Sequence, residues 1–453
     1  MNIKDLHTIY FLGIGGIGMS ALARYFNINN IAISGYDKTP SPLTKKLSEE
    51  GIKIHYNDNP NLIPKDVDIV IYTPAIPDSL VEYQKIKEKG IPIFKRAEIL
   101  GLITKEYFTV AIAGTHGKTS VTSLVAHLLN HANKNVSAFI GGIAKNFNSN
   151  CLIAQNTEIV VVEADEYDKS FLQLNPDIAV LTSMDADHLD IYNNKQNIEN
   201  TFNQFLEKIR PNGSAVVLNA LPIKINNSIN NYNYGYNTKT DFSVHSEKYQ
   251  ENNHIISLTL NNKELKNISF SLPGEYNALN ALAASAVADL LGIPHEVIKN
   301  GLESYKGVER RFDYRINSSS ITYIDDYAHH PNEIKACIEA VKTLFPNKKI
   351  TGIFQPHLFT RTRDFLNDFA LNLSMLDEVI LLPIYPAREK PIPGITSELL
   401  LKKITIKQKS FVEKQDLLNK IKSLDTDILL TLGAGDIDRF IIPIEELLKN
   451  KLL

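Results

Sequence analysis

The sequence has few cysteines, no long apolar run and no excess charge of one sign. Its 453 residues include two cysteines, Cys151 and Cys337, in neither metal-ligand nor CxxC spacing, so we expect a reducing compartment and no disulfide framework. No stretch approaches the roughly 18 uninterrupted apolar residues of a membrane-spanning helix, and the N-terminus lacks the features of a signal peptide. The net charge of -3 gives no general attraction to nucleic acid or anionic membranes. These absences predict a cytoplasmic protein that binds no nucleic acid and does not insert into a membrane.

The chain does contain enough apolar sequence for several hydrophobic cores. Hydrophobic residues make up 43% and charged residues 22%, which argues against disorder, collagen-like repeats and coiled coils. Short β-branched segments alternate with helical periodicity in three cycles, the pattern of α/β units with parallel sheets. We predict three α/β domains in series, at 1–103, 104–306 and 307–453. Alternating Asn-rich segments between 221 and 272 predict antiparallel strands at the edge of the central sheet.

The sharpest motif is a phosphate loop between an apolar strand and an amphipathic helix. Backbone N–H groups and the helix N-terminus would hold phosphates, Lys118 would reach the β- and γ-phosphates, and the Thr119 hydroxyl would ligate Mg²⁺. Ile112 stands where the strict pattern has its first glycine, and a glycine-rich turn with an incidental lysine is the alternative. The motif predicts binding of a nucleoside triphosphate by Gly114, Thr115, His116, Gly117, Lys118, Thr119 and Ser120.

Carboxylates follow two strands that come after the phosphate loop. The first strand ends at Glu163, before Asp165 and Glu166, and the second opens into a segment with Asp185 and His188. An acidic loop is usually a solvated surface, but beside a phosphate loop such oxygen donors can bind a metal. The sequence therefore predicts a Mg²⁺ or Mn²⁺ site here.

A second glycine motif lies near the N-terminus. Gly13, Gly15 and Gly18 form GxGxxG after a strand, and Asp37 ends the next strand, as in a dinucleotide fingerprint. Any diphosphate can use the same turn, and glycines also allow close packing of helix on strand. The motif predicts a diphosphate and leaves its nucleoside open. A nicotinamide-dependent oxidoreductase and a non-catalytic nucleotide-binding protein are the alternatives, although the oxidoreductase leaves the phosphate loop unexplained.

Ten longer motifs resemble those of the Mur ligases and together span nearly the whole chain. They are GIGGIGMSALA at 13–23, GTHGKTS at 114–120, EADEYDKSF at 163–171, DADHLD at 185–190, GEYNALNALAA at 274–284, GVERRFDY at 307–314, DDYAHHP at 325–331, QPHLFTRTRDF at 355–365, YPAREKPIPG at 385–394 and LGAGDID at 432–438. The resemblance implies the three-domain Mur ligase architecture, with Rossmann-like N-terminal and C-terminal domains and a central domain similar to a P-loop ATPase. It also implies an ATP-dependent ligase, monomeric or homodimeric. Such an enzyme would join L-alanine to UDP-N-acetylmuramate through an acyl phosphate, in peptidoglycan precursor synthesis. A ligase for another amino acid or a recycled peptide is the alternative within the family.

The resemblance also implies roles for residues of each domain. The first domain would bind the UDP-sugar through Gly15, Gly16, Gly18, Asp37, Thr73 and Ala75. In the central domain Asn277 and Asn280 would meet adenine, while Glu163 and His188 would complete the metal environment of Thr119. The face of the third domain would gather Arg310, Arg311, Tyr327, His329 and Arg361, with Arg311 also counted as an ATP-binding residue.

Two histidines are candidates for the base that deprotonates the alanine ammonium. The pKa of an α-amino group is about 8 in a peptide and higher in a free amino acid, so a base is needed. His188 and His329 both remain candidates for it, and Arg361 or Arg363 would bind the alanine carboxylate. The family pattern expects His, Arg and Ser at the positions that hold Tyr276, Leu358 and Tyr36.

Overall fold

A computed structural model describes residues 3–185, 195–250, 253–387 and 389–452. These residues form three β-sheets with helices between the strands. The chain divides into two compact units. The larger unit comprises Met1–Glu247, Ile255–Phe270 and Leu279–Lys306, and the smaller unit comprises Lys248–His254, Ser271–Ala278 and Gly307–Leu453. Within the described residues no helix is both long enough and apolar enough to cross a bilayer.

The first sheet has five parallel strands in the order β3-β2-β1-β4-β5. Its strands are β1 Thr8–Leu12, β2 Ala32–Tyr36, β3 Lys53–His55, β4 Ile69–Tyr72 and β5 Ile93–Lys95, and its helices are α1 Ile17–Ile28, α2 Pro42–Glu49, α3 Val81–Glu88 and α4 Arg96–Lys105. Parallel strands require crossovers, which the helices supply. The order is Rossmann-like, so the carboxyl ends of β1, β2 and β4 meet at one edge.

The central sheet has ten strands in the order β15-β14-β13-β12-β11-β10-β6-β9-β7-β8. Its strands are β6 Phe108–Ala113, β7 Val136–Ala144, β8 Ser149–Leu152, β9 Ile159–Glu163, β10 Ile178–Leu181, β11 Ser214–Leu218, β12 Asn230–Tyr236, β13 Phe242–Gln250, β14 Asn253–Leu260 and β15 Lys263–Phe270. The helices here are α5 Lys118–His131, α6 Lys195–Leu206, α7 Glu275–Leu290 and α8 His295–Glu303. The β6 strand pairs in parallel with β9 and β10 and is fully buried from Val110 to Ala113.

The edge of the central sheet differs in part from its prediction. Asn261 and Asn262 have φ of 44° and 67°, the geometry of a two-residue hairpin turn between β14 and β15. However, β12 pairs in parallel with both β11 and β13, where antiparallel pairing was expected. The alternation of polar and apolar residues shows which face is buried but says nothing about strand direction. At the other edge β8 runs antiparallel to β7.

The third sheet has six strands in the order β16-β17-β21-β18-β19-β20. Its strands are β16 Asp313–Asn317, β17 Thr322–Asp326, β18 Ile350–Phe354, β19 Glu378–Leu381, β20 Gln408–Phe411 and β21 Ile428–Leu432. Its helices are α9 Pro331–Leu344, α10 Phe359–Asp364, α11 Leu366–Leu373, α12 Ser397–Lys403, α13 Leu417–Lys422 and α14 Ile441–Leu452. All strands of this sheet lie within the described residues. The edge strand β16 runs antiparallel to β17, and the other neighbouring strands pair in parallel. The α/β class with Rossmann-like outer sheets is therefore confirmed.

One hydrophobic core joins the first and central sheets. Phe11 of β1, Phe139 of β7 and Phe171 all belong to the same buried cluster. This shared core explains why both sheets lie in the larger unit. The boundary predicted at 103 falls inside α4, and the three predicted domain ranges stay a prediction.

Candidate active site

The phosphate loop connects β6 to α5 at the carboxyl edge of the central sheet. Gly114 and Gly117 have φ of 139° and 82°, conformations that favour glycine. A Cβ on Gly117 would lie 2.7 Å from Oδ1 of Asn280, so the close approach of α7 also requires glycine. The loop therefore leaves its backbone open at the start of α5, as an anion site needs.

Residues that follow β10 hold the loop from behind. Ser183 Oγ accepts a hydrogen bond from the His116 N–H at 2.7 Å and lies 2.9 Å from the Thr115 hydroxyl. Thr182 Oγ1 donates to the Ala113 carbonyl at 3.1 Å. These bonds fix the shape of the loop before any ligand arrives.

Lys118 lies in a buried ion pair at the first position of α5. Its Nζ is 2.8 Å from Glu166 and donates to the Gly114 carbonyl at 2.6 Å. Burial alone would lower the pKa of Lys118, but the neighbouring carboxylates, led by Glu166, outweigh it and raise the pKa above its usual value. The lysine is therefore charged and held beside the loop.

Thr119 and Glu163 bring hard oxygen donors together below the loop. The Thr119 hydroxyl donates to Oε1 of Glu163 at 3.1 Å, and the Gly141 N–H donates to Oε2 of the same carboxylate at 2.9 Å. Oxygen donors of this kind suit Mg²⁺ or Mn²⁺. Among the described residues no group of three or more His, Cys, Asp or Glu forms a metal site, and His188 lies outside the described residues.

Other predicted nucleotide residues lie in the loop, in α5 or in α7. Ser120 is buried in α5, and His116 Nε2 is 3.2 Å from Asp185. Asn280 lies over Gly117, whereas the buried Asn277 amide donates to the Pro273 carbonyl at 2.8 Å. Asn280 therefore lies beside the loop. The side-chain amide of Asn277 is instead hydrogen-bonded to the backbone just before its own helix.

The N-terminal glycines form a turn at the carboxyl end of β1. The Gly15 N–H donates to Oδ2 of Asp37 at 2.7 Å, and Gly16 is the N-cap of α1. The Thr73 methyl would lie 2.7 Å from a Cβ on Gly13, in a turn that leaves Ala75 exposed. The predicted sugar-nucleotide residues thus lie around one turn, with Asp37 bound to its backbone.

A cleft in the larger unit connects this turn to Glu163. It is lined by Gly16, Ile17, Gly18, Met19, Ala21, Leu22, Thr73, Arg96, Leu100, Phe139, Ile140, Gly141, Glu163 and Asp165. Because Glu163 also contacts Thr119, a ligand in this cleft would reach from the glycine turn to the edge of the phosphate loop.

The third sheet carries a cationic and aromatic cluster. The guanidinium carbons of Arg310 and Arg311 lie 5.2 Å and 4.7 Å from the ring centre of Tyr327, within cation–π range. His329 Nδ1 donates to the Tyr327 carbonyl at 3.1 Å, and the rings of His329 and His357 are 5.9 Å apart. Four of the five residues predicted for this face are therefore neighbours.

Arg361 joins the same cluster through a histidine. Its Nη1 donates to His357 Nδ1 at 3.3 Å, and the residue is 6% exposed. Arg363, the other candidate for the alanine carboxylate, is half exposed and binds Asp364 at 2.7 Å. Arg361 is thus the arginine that faces the histidines.

Comparison with known proteins identifies the family. Residues 8–108 match the family described as Mur ligase family, catalytic domain, residues 112–288 match Mur ligase middle domain, and residues 310–435 match Mur ligase, glutamate ligase domain. The chain belongs to the Mur ligase family.

Several relatives match this Mur ligase over its full length. The UDP-N-acetylmuramate–L-alanine ligase of Flavobacterium psychrophilum is 48% identical, covering 100% of both chains, and that of Parabacteroides distasonis is 42% identical over 100% of this chain and 99% of its own. The crystal structure of UDP-N-acetylmuramate-alanine ligase from Thermotoga maritima has a TM-score of 0.84 at 29% identity, covering 98% of this chain and 99% of that one.

The structure places the three departures from the Mur ligase pattern. Tyr36 ends β2 with its ring 5.8 Å from that of His55, and Tyr276 lies against Gly274 at the start of α7. Leu358 has φ of 70° and ψ of 137°, a backbone conformation that a branched residue rarely adopts. Its carbonyl accepts from Thr362, so the strained turn starts α10 and thereby positions Arg361.

The sequence analysis missed residues that the Mur ligase fold brings to the site. Thr182 and Ser183 hold the phosphate loop, and Arg96 lies over Gly18. Their positions in the sequence could have indicated all three, since each is the first or second residue after the carboxyl end of a parallel strand, where ligands bind in α/β sheets.

Proposed function

We propose that this chain joins L-alanine to UDP-N-acetylmuramate with ATP, giving UDP-N-acetylmuramoyl-L-alanine, ADP and phosphate. Full-length identity of 42–48% to ligases of that name supports the substrates. One observation of the geometry carries the reaction type. The cleft that begins at the glycine turn reaches Glu163, and Glu163 accepts a hydrogen bond from Thr119, the residue after the charged Lys118 in the phosphate loop.

The reaction needs an activated acid. A carboxylate repels nucleophiles and has no acceptable leaving group, so its attack on the γ-phosphate of ATP would first give an acyl phosphate and ADP. Two anions approach in this step, and Lys118 with the loop N–H groups offsets their charge. The bonds of the Thr115 hydroxyl and the His116 N–H to Ser183 hold the loop in shape, so the N–H groups at the start of α5 would face the phosphates.

Thr119 and Glu163 would hold the divalent cation. Their oxygens are 3.1 Å apart, and both belong to the hard donor class that Mg²⁺ prefers. The bound cation would neutralise charge on the triphosphate. His188 remains a proposed further ligand, outside the described residues.

The smaller unit would bind alanine. Arg361 would pair with the alanine carboxylate, while His329 is the described candidate for accepting a proton from its ammonium. The amine would then attack the acyl phosphate, and the tetrahedral intermediate would collapse to amide and phosphate. Arg311 and Tyr327 would border the same cluster.

The sugar nucleotide would occupy the larger unit. Gly16 and Gly18 at the start of α1 would face its diphosphate, with Thr73 in the same cleft and Asp37 and Ala75 around the glycine turn. Two buried free cysteines and the chemistry of the substrates support a cytoplasmic reaction. Monomer or homodimer stays a prediction, which size-exclusion chromatography with light scattering would test.

A coupled phosphate-release assay tests the proposal. Phosphate should appear only when ATP, Mg²⁺, UDP-N-acetylmuramate and L-alanine are all present, and mass spectrometry should find the alanyl product. Glycine and L-serine serve as amino-acid controls. Release with ATP alone at the full rate, or hydride transfer with a nicotinamide cofactor, would contradict the proposal.

A further inference from the structure

Arg96 stands between the glycine turn and the acidic loop that follows β9. We propose that Arg96 exchanges Asp165 for the diphosphate of the sugar nucleotide and so couples the binding of that substrate to the binding of the metal-bound nucleotide. The inference rests on the proposed function, because it concerns the same two ligands.

The first observation is the contact of Arg96 with Gly18. A Cβ on Gly18 would lie 2.9 Å from Nη1 and 3.2 Å from Cζ of Arg96, so the guanidinium lies directly on the glycine. Gly18 is in the first turn of α1, whose N-cap Gly16 has no side chain to occupy the free N–H groups. A planar guanidinium beside these groups suits phosphate oxygens.

The second observation is the weak contact of Arg96 with Asp165. Nη2 lies 3.6 Å from Oδ2, beyond hydrogen-bond distance, and the two side chains are 27% and 37% exposed. Within the described chain this carboxylate is the one acidic side chain paired with Arg96. An ion pair of this length and exposure contributes little and is easily replaced.

The exchange has a consequence for the neighbouring site. A diphosphate offers more charge and more acceptors than one carboxylate, so it would draw Arg96 away from Asp165. The released Asp165 lies two residues after Glu163, beside the donors proposed for the cation. Its charge, no longer paired with Arg96, would then favour a cation there, and the sugar nucleotide would strengthen binding of the metal-bound nucleotide. By linkage the reverse also holds.

Calorimetric titration tests this coupling in three proteins. UDP-N-acetylmuramate is titrated into wild type, Arg96→Gln and Asp165→Asn, with and without Mg²⁺ and a non-hydrolysable ATP analogue. Asparagine at 165 keeps the oxygen that accepts the Tyr167 N–H at 3.0 Å. Lys87→Gln, which removes a positive charge from an exposed surface pair, is the control and should behave as wild type.

The two variants should change the affinity in opposite directions. Without nucleotide, Arg96→Gln should bind the sugar nucleotide about tenfold more weakly, whereas Asp165→Asn should bind it about threefold more tightly because Arg96 is released. The analogue should tighten binding about fivefold or more in wild type and less than about twofold in both variants. A purely structural role would weaken binding in both variants alike.

The possible failures are distinguishable. Wild type that binds no UDP-N-acetylmuramate would contradict the proposed function itself. Wild type that binds it, with the same nucleotide effect in Arg96→Gln or with weaker binding in Asp165→Asn, would overturn only the coupling. If Arg96→Gln unfolds, Arg96→Lys replaces it and should lose most of the coupling, since an ammonium lacks the planar fork.

Discussion

Lys118 and Glu166 depend on each other because both are buried. Their charged atoms are 2.8 Å apart, with side-chain exposures of 13% and 2%. Loss of one partner in a buried pair leaves the other charge poorly compensated, at a cost of about 3–5 kcal/mol. Substitution of Lys118 alone therefore changes stability and catalysis together, and a second substitution is needed to separate the two.

Lys118→Ala should reduce phosphate release to less than about a hundredth of wild type, because the migrating phosphoryl group loses its cation. Its melting temperature should also fall. The double variant Lys118→Ala with Glu166→Gln should recover the melting temperature without recovering phosphate release. Full activity in the double variant would show that Lys118 has no role at the phosphate.

Glu163→Gln should raise the Mg²⁺ concentration needed for half-maximal activity by about tenfold or more, since a neutral amide is a weaker ligand. The measurement is phosphate release across a Mg²⁺ titration. Glu158→Gln, an exposed change one residue before the same strand, is the matched control. An unchanged titration in Glu163→Gln would move the ligand role to Asp165 or Glu166.

At the scale of elements, α5 carries a buried histidine near its C-terminal end. His127 Nε2 lies 3.0 Å from both the Gly301 carbonyl and the Ser304 hydroxyl. Burial lowers its pKa to about 4, so the fold favours the neutral ring. The contribution of His127 to stability is therefore present above its ordinary pKa of about 6.5 and is lost as the pH falls toward 4.

His127→Gln should make the unfolding free energy less sensitive to acid. Between pH 7 and pH 4.5 the wild type should lose about 2 kcal/mol more than the variant, which keeps a donor for Gly301. Urea unfolding at the two pH values measures the difference. Equal losses would mean that His127 accepts a proton without disturbing the fold.

The β17 strand carries a group with the opposite pH dependence. Burial raises the pKa of Asp326 to about 6, although Arg311 and the N–H groups of Phe312 and Ala328 favour its charged form. A raised carboxyl pKa stabilises the fold below about pH 4, and that contribution is lost as the pH rises through 6.

Asp326→Asn should therefore remove a loss of about 2 kcal/mol in unfolding free energy that the wild type undergoes between pH 4.5 and pH 7. The measurement is urea unfolding of the two proteins at pH 4.5, 5.5 and 7. Parallel stability curves would indicate that Asp326 keeps an ordinary pKa.

Local sequence patterns were sufficient to predict the strands, helices and phosphate loop, but they could not predict contacts between residues far apart in the chain. The phosphate loop follows from seven adjacent residues, and the α/β class follows from alternating periodicities. Arg96 and Gly18 are 78 positions apart, and Ser183 is 67 positions from His116, so only the folded chain shows that they meet. The parallel direction of β12 was missed for the same reason. The functional roles of the predicted site residues stay predictions.

At the scale of the whole molecule, the residues proposed to bind the substrates are distributed over two compact units. The phosphate loop and glycine turn belong to the larger unit, whereas Arg361 and His329 belong to the smaller one. An acyl phosphate is destroyed by water, so catalysis requires a state in which the reacting groups are enclosed.

Addition of UDP-N-acetylmuramate, Mg²⁺ and a non-hydrolysable ATP analogue should therefore reduce the radius of gyration. Small-angle scattering with and without ligands measures this change. Lys118→Ala, which should bind the triphosphate poorly, should show a smaller change. A constant radius of gyration in wild type under saturating ligands would contradict ligand-driven closure.

Asparagine replaces glycine at many places where the described chain turns back on itself. Eight of its fourteen non-glycine residues with positive φ are asparagines, among them Asn30 and Asn133 just after α1 and α5. Asparagine tolerates this conformation at small steric cost, and its side chain limits the freedom of the denatured backbone more than glycine does. Compared with glycine, asparagine at these turns therefore stabilises the fold by lowering the conformational entropy of the denatured chain. Alanine would lower that entropy too, but strain in the native state would cancel the benefit.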